Sequence, residues 1–192
     1  AEIVTGLRRA TAGTVTAAGR DITRASSAKI ARLGVAHIPE DRISTGLVAS
    51  MDVAGNAIMR DYQRSPLAKG PFLAGRAVHA FADRLISAYD VKTPHRRTRM
   101  GALSGGNQQK LLIGRELNGE PSVIVAVHPA RGVDIGATET IHRLHAEQRE
   151  RGAAVLLISE DLDELLALSD RIAGLYNGPV VGTVDPREAE RD

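Results

Sequence analysis

The sequence predicts an α/β fold: a parallel sheet core with a helical subdomain beside it. Three observations carry that reading. Residues 122–127, Ser-Val-Ile-Val-Ala-Val, and 153–158, Ala-Ala-Val-Leu-Leu-Ile, are continuous apolar runs, the pattern of strands covered on both faces of a parallel sheet. Residues 138–151 between them read as a helix closed by Gly152, so strand and helix alternate. The middle of the chain, residues 46–118, is rich in helical segments and is expected to form a lobe, with residues 1–45 and 119–192 as the core.

The elements follow in order. Ala1-Glu2-Ile3-Val4 reads as a helix end closed by Gly6. With no initiator Met and no leader pattern, the chain is expected to be a fragment of a longer one. Thr14-Val15-Thr16-Ala17 alternates and turns at Ala18-Gly19-Arg20, a strand and hairpin, and Gly6, Gly13 and Gly19 are turn glycines. Residues 26–33 form a short helix, and Gly34-Val35-Ala36-His37-Ile38 a strand stopped by Pro39. Residues 52–61 and 76–89 are helical, the second with Val78, Phe81, Ala82, Leu85 and Ile86 on one face. A loop at 65–71 joins them, and 90–102 is irregular and basic. Beyond the second apolar strand, Ser159 is expected to cap a helix over 160–168, and 171–176 pairs with 180–184 around Asn177-Gly178.

Composition narrows the function classes. A chain of 192 residues and 20.4 kDa can bury a real core. Lys and Arg number 25 against 23 Asp and Glu, and the net charge of +2 gives no reason to expect a nucleic-acid partner. Trp is absent and aromatics are scarce, so no base-stacking surface is expected. The one dense basic run, His95-Arg96-Arg97-Thr98-Arg99, reads as a solvated loop. Without Cys the chain has no disulfides or thiolate metal sites, which permits a cytosolic location. No apolar run approaches the roughly 20 residues that span a bilayer, so membrane contact is expected through a partner.

The most informative stretch is Leu103-Ser104-Gly105-Gly106-Asn107-Gln108-Gln109-Lys110. It opens a helix with Ser104 near the N-cap. First-turn N–H groups lack intrahelical partners and carry the positive end of the helix dipole. Gly105 and Gly106 have no Cβ, so a ligand can approach the backbone: an anion cradle suited to phosphate. No side chain in it does acid–base chemistry.

This stretch resembles the signature motif of ATP-binding cassette (ABC) ATPases, in the wording of tandem-cassette importers. The resemblance implies an ABC-type P-loop NTPase cassette, truncated at the N-terminus. In that family the signature of one cassette closes over the γ-phosphate held by another. The residues it would offer here are Ser104, Gly105, Gly106, Asn107 and Gln109, with Asp134 expected at the cassette–cassette interface.

Other family positions depart from the pattern. Where the family keeps an Asp and a Glu at a strand end, for Mg²⁺ and the attacking water, this chain has Val127 and His128. Valine cannot ligate a hard cation, whereas His128 is either a base or a polar residue at a strand end. In Pro39-Glu40-Asp41-Arg42 the family's glutamine is Glu40, which either binds metal or pairs locally. Glu160 replaces the switch histidine. The acids Glu160, Asp161, Asp163 and Glu164 read as a helix first turn, where the dipole favours them. No G-x-x-x-x-G-K-[ST] phosphate loop occurs in the 192 residues. His142 and His145, one turn apart, read as a solvated helix face, a metal pair being the alternative.

The resemblance therefore implies the second, degenerate cassette of a nucleoside or simple-sugar importer. ATP and Mg²⁺ would be held mainly by a partner cassette, and no metal by this chain. The partners implied are that cassette and transmembrane permease subunits, on the cytoplasmic face of the membrane. The intact parent would be a transport ATPase, while this chain alone would hydrolyse nothing. Two rivals stand beside it: a structural or regulatory cassette that only dimerises, and an ABC ATPase of DNA repair or translation. The second is disfavoured because residues 61–101 carry neither heptads nor a basic arm.

Overall fold

A computed structural model describes residues 1–187. In chain order these form β1 (Thr16–Ala17), β2 (Arg20–Asp21), α1 (Ser27–Arg32), β3 (Val35–Ile38), α2 (Val53–Ile58), β4 (Ala68–Lys69), β5 (Phe72–Leu73) and α3 (Gly75–Ala88). There follow α4 (Gly105–Leu117), β6 (Val123–Val127), α5 (Ile135–Glu150), β7 (Ala154–Ile158), α6 (Leu162–Leu168), β8 (Ile172–Leu175) and β9 (Val180–Val184).

The central sheet has the order β3-β6-β7, all parallel. Its register aligns Ile38 with Ala126 and Ala126 with Leu157. Strand β6 lies in the middle, and its Ile124, Val125 and Ala126 are fully buried, as a continuous apolar run requires. Strand β7 is less covered than its sequence predicts. Ala154 and Leu156, on one face of the strand, are exposed, so that face is not covered by another described element. Among the described residues the β8–β9 hairpin pairs only with itself, and it leaves Leu175, Val180 and Val181 exposed.

One apolar cluster fills the helical lobe: Val53 and Ala57 of α2, Val78, Ala82 and Leu85 of α3, and Leu111 and Leu112 of α4. A second covers the sheet: Ile38, Ile113, Leu117, Ile124, Ile141 and Leu144. Helix α4 contributes to both, so it is buried nearly all round, its polar Gln108, Gln109, Arg115 and Glu116 included. Its Gly114 is a close-approach glycine: a Cβ there would lie 2.6 Å from Cδ2 of Tyr89. Helix α4 also buries charge. The Glu116 carboxylate accepts from Arg60 and, at 3.0 Å, from Nε of Arg115, while Arg60 donates to the carbonyls of Ala31 and Val35. That cluster ties α1, β3, α4 and the turn after α2 together.

Several boundaries move for local reasons. The first turn closes on Gly6 at φ +73°, where the Leu7 N–H reaches the Glu2 carbonyl, as a helix C-terminus would. Helix α2 starts where the Asp52 carboxylate accepts from the Gly55 N–H at 2.7 Å, and it ends earlier than expected, at Ile58. The 65–71 loop carries one strand of a small hairpin, β4–β5. Helix α5 begins three residues before the expected Thr138, because Asp134 caps it through the Ala137 N–H at 2.9 Å. Helix α6 is capped by Asp161 rather than Ser159, so Glu160 lies before it. The basic run is not merely solvated: Nη1 of Arg96 donates to both carboxylate oxygens of Asp83 in α3, at 3.0 and 2.8 Å. No described helix is long and apolar enough to cross a membrane.

Candidate functional site

The parallel register brings the departing positions to one edge. Ile38, Ala126 and Leu157 are level, so Glu40, His128 and Glu160 all lie just past the C-terminal ends of adjacent strands. That is where α/β sheets collect their chemistry. The groups present do not make a magnesium site. Val127 offers no oxygen ligand. The Glu40 carboxylate is paired with the Arg131 guanidinium. Glu160 is exposed. His128 is half-buried and holds a left-handed backbone, φ +45°, where its N–H donates to the Ile158 carbonyl at 2.8 Å. Among the described residues no three His, Cys, Asp or Glu groups converge to hold a metal ion.

The helix expected from the glycine-rich stretch is α4. Ser104 occupies the N-cap position with extended backbone, φ −62° and ψ 156°, yet its side chain caps nothing. Its Oγ instead accepts from Nδ2 of Asn107 at 2.9 Å, and Oδ1 of Asn107 accepts from the Lys92 N–H at 2.7 Å. The first-turn N–H groups thus carry no side-chain cap, and an exposed serine hydroxyl stands beside them. A 13-residue helix with that start attracts anions, typically by 0.3–1 kcal/mol at a surface.

The glycines are not simply open. A Cβ on Gly105 would lie 2.6 Å from Nη2 of Arg42 and 3.1 Å from the Gly132 carbonyl. One on Gly106 would lie 3.2 Å from both Oδ2 of Asp134 and Cβ of Ala137. Gly106 is buried. The missing side chains therefore let the 129–137 segment lie against the start of α4. Gln109 is buried too, and its Nε2 donates to the Pro129 carbonyl at 2.6 Å. Of the five residues expected to face a ligand, Ser104 and Gly105 keep an outward side, while Gly106 and Gln109 hold the neighbouring loop.

Arg42 is the residue that sequence reasoning passed over. It was visible inside Pro-Glu-Asp-Arg only as a neighbour of Glu40. Its guanidinium donates to Oε1 of Gln108 at 3.4 Å and to the carbonyls of Arg131 and Gly132 at 3.0 and 3.3 Å. Asp41 prepares it by accepting from the N–H groups of Ile43 and Ser44 at 2.9 and 3.0 Å. Those bonds also hold its carboxyl below the usual range.

The histidine pair does not form a solvated face. Nε2 of His142 meets Oε1 of the buried Glu164 at 2.9 Å, and His145 is buried with neither ring nitrogen bonded. Helix α6 covers what an isolated α5 would expose. Of the acidic group, only Asp163 and Glu164 stand in the α6 first turn.

Comparison with known proteins identifies the family. A family model described as ABC transporter matches residues 1–129. The guanosine import ATP-binding protein of Bacillus subtilis is 42% identical over 97% of this chain and 37% of its own length. The glucose import ATP-binding protein of Haloferax volcanii is 42% identical over 100% of this chain and 35% of its own length. The chain thus spans little more than a third of these curated relatives. Among solved structures, a dimeric post-hydrolysis ATP-binding cassette bound to ADP and Pi superposes with a TM-score of 0.78 at 19% identity, covering 98% of this chain and 79% of that one. A nucleotide-free cassette from an ABC transporter gives 0.76 at 24% identity, covering 96% and 74%. At those identities the likeness is one of fold. The sequence matches go further, and on them the chain belongs to the ABC transporter family of ATP-binding cassettes.

Proposed function

We propose that this chain is the second, degenerate cassette of a tandem ATP-binding protein serving a nucleoside or simple-sugar importer, and that it completes an ATP site held by a partner cassette. The division into a core of residues 1–45 and 119–192 and a lobe of residues 46–118 belongs to the same reading. The observation that carries it is a contrast. The start of α4 is an uncapped anion cradle with the Ser104 hydroxyl beside it. The chain's own positions at the sheet edge carry valine, an ion-paired glutamate and an exposed glutamate. Relatives named as guanosine and nucleoside import ATP-binding proteins support the solute class.

In this reading Ser104 and the N–H groups of Gly105 and Gly106 contact the γ-phosphate of ATP held by the partner. Asn107 orients the serine, and Gln109 holds the loop that leads to Asp134 at the cassette interface. The family uses ATP with Mg²⁺. The sheet-edge residues of this chain do not fit the metal, so it belongs with the partner. Permease subunits on the cytoplasmic face of the membrane complete the assembly.

The test is made in the full-length transporter protein. Ser104→Arg is expected to lower transport ATPase activity at least a hundredfold, while Val127→Ala leaves it within about twofold. Equal losses refute the asymmetric reading. Survival of activity in Ser104→Arg leaves the chain a cassette that only dimerises.

A further inference from the structure

We infer that Arg42 is a positioning residue that clamps the 129–134 loop onto the start of α4 and thereby sets the geometry of the Ser104–Gly106 cradle. The inference rests on the proposed function for its consequence, but not for the clamp itself. Three segments far apart in sequence meet at this one side chain. Arg42 stands just beyond β3, Gln108 in the first turn of α4, and Arg131 and Gly132 in the loop after β6. Backbone carbonyls of a loop have no partner of their own unless something donates to them, and a planar guanidinium serves two at once.

Three further observations make this a built contact. Gly105 has no Cβ where Nη2 of Arg42 lies. The same loop is tied back to the β3 side by the ion pair of Arg131 with Glu40, so the two segments are joined in both directions. On the far side, Gln109 takes the Pro129 carbonyl and Gly106 admits Asp134 and Ala137. The 129–137 segment is thus held to α4 at both ends, and Arg42 is the link that also reaches the sheet edge.

The consequence is positional. Asp134 caps α5 through Oδ1, while its Oδ2 faces Gly106 in the first turn of α4. Where that carboxylate stands therefore depends on how firmly the loop is held. Arg42 has no sequence neighbour that could take over: Asp41 is engaged with the backbone ahead of it, and Ile43 carries no donor beyond its N–H, already bonded.

Two measurements test this on the 192-residue chain, in the wild type, Arg42→Ala and Arg42→Lys. The first is amide hydrogen exchange without nucleotide. Arg42→Ala is expected to speed exchange of the 130–137 amides at least tenfold while the β6 amides keep wild-type rates. Arg42→Lys, which reaches one carbonyl at a time, should lie within about threefold of wild type. Loop exchange within twofold of wild type in Arg42→Ala overturns the clamp. The second is sedimentation of the same variants with an intact ABC cassette loaded with ATP. Association is expected to weaken at least tenfold in Arg42→Ala and to recover most of that in Arg42→Lys. A loosened loop with wild-type association overturns the positioning role. If the wild type itself shows no ATP-dependent association, the proposed function fails, and the exchange result still decides the clamp.

Discussion

Nη2 of Arg42 stands 2.6 Å from the point where Gly105 would carry a Cβ. The two residues are therefore one device: the glycine is small because the arginine lies across it. Gly105→Ala has two opposing effects. Alanine gains up to about 1 kcal/mol of helix propensity over glycine, less at the first helical position. Displacing the guanidinium releases hydrogen bonds to two loop carbonyls, at about 1 kcal/mol each. The expected outcome is a folding stability changed by less than about 2 kcal/mol, read from urea melts. Exchange at residues 130–137 should still rise as in Arg42→Ala.

The buried charge cluster under α4 is a larger lever. Glu116 is the only carboxylate joined to Arg60 and Arg115 among the described residues, with side-chain exposures of 13% for Arg60, 7% for Arg115 and 9% for Glu116. Removing one partner of a buried pair strands the other charge and costs about 3–5 kcal/mol. Glu116→Leu is expected to lower stability by that amount in chemical denaturation. Replacing Arg60 by Met in the same chain should restore part of the loss, because one stranded cation is removed with the anion.

Stability should also fall in mild acid through His145. Burial pushes its imidazole down to about 4 from 6.5, with Glu164 opposing the shift and His142 adding to it. Between those values the unfolded chain holds a proton that the folded chain does not. The contribution is thus complete above pH 6.5 and is lost as pH falls toward 4. At 1.36 kcal/mol per unit, about 2–3 kcal/mol is gone near pH 4.5. Carboxylates titrate there too, so the measurement is a difference. His145→Leu is expected to lose about 2–3 kcal/mol less than wild type between pH 7 and 4.5.

Much of the fold was legible because its signals are local. The buried β6 strand, the helix opening at Gly105 and the turn at Gly6 each follow from period, capping position or a residue without Cβ. Strand β7 was misjudged because an apolar run does not say which of its faces another element will cover. The α5 helix starts at Ile135 rather than Thr138 because the Asp134 carboxylate caps it through the Ala137 N–H, a contact that the apolar period does not encode. The histidine pair reads as solvated from sequence because Glu164, the partner of His142, stands on α6, outside the reach of the α5 pattern. Glu40 found its partner in Arg131, 91 positions away, and no pattern in either segment announces that pairing.

The sequence by itself determined that a helix opened by two glycines starts after Ser104, and that Val127, which offers no oxygen ligand, stands at the end of a sheet strand. Both are statements about residue identity at positions a motif defines. Only the tertiary structure decided how that helix start is held. Gly105 and Gly106 proved to be contact surfaces for Arg42, Asp134 and Ala137 as much as openings for a ligand. The physical reason is range. Capping and periodicity act over a few residues, while a guanidinium on two loop carbonyls needs segments brought together by the packed sheet.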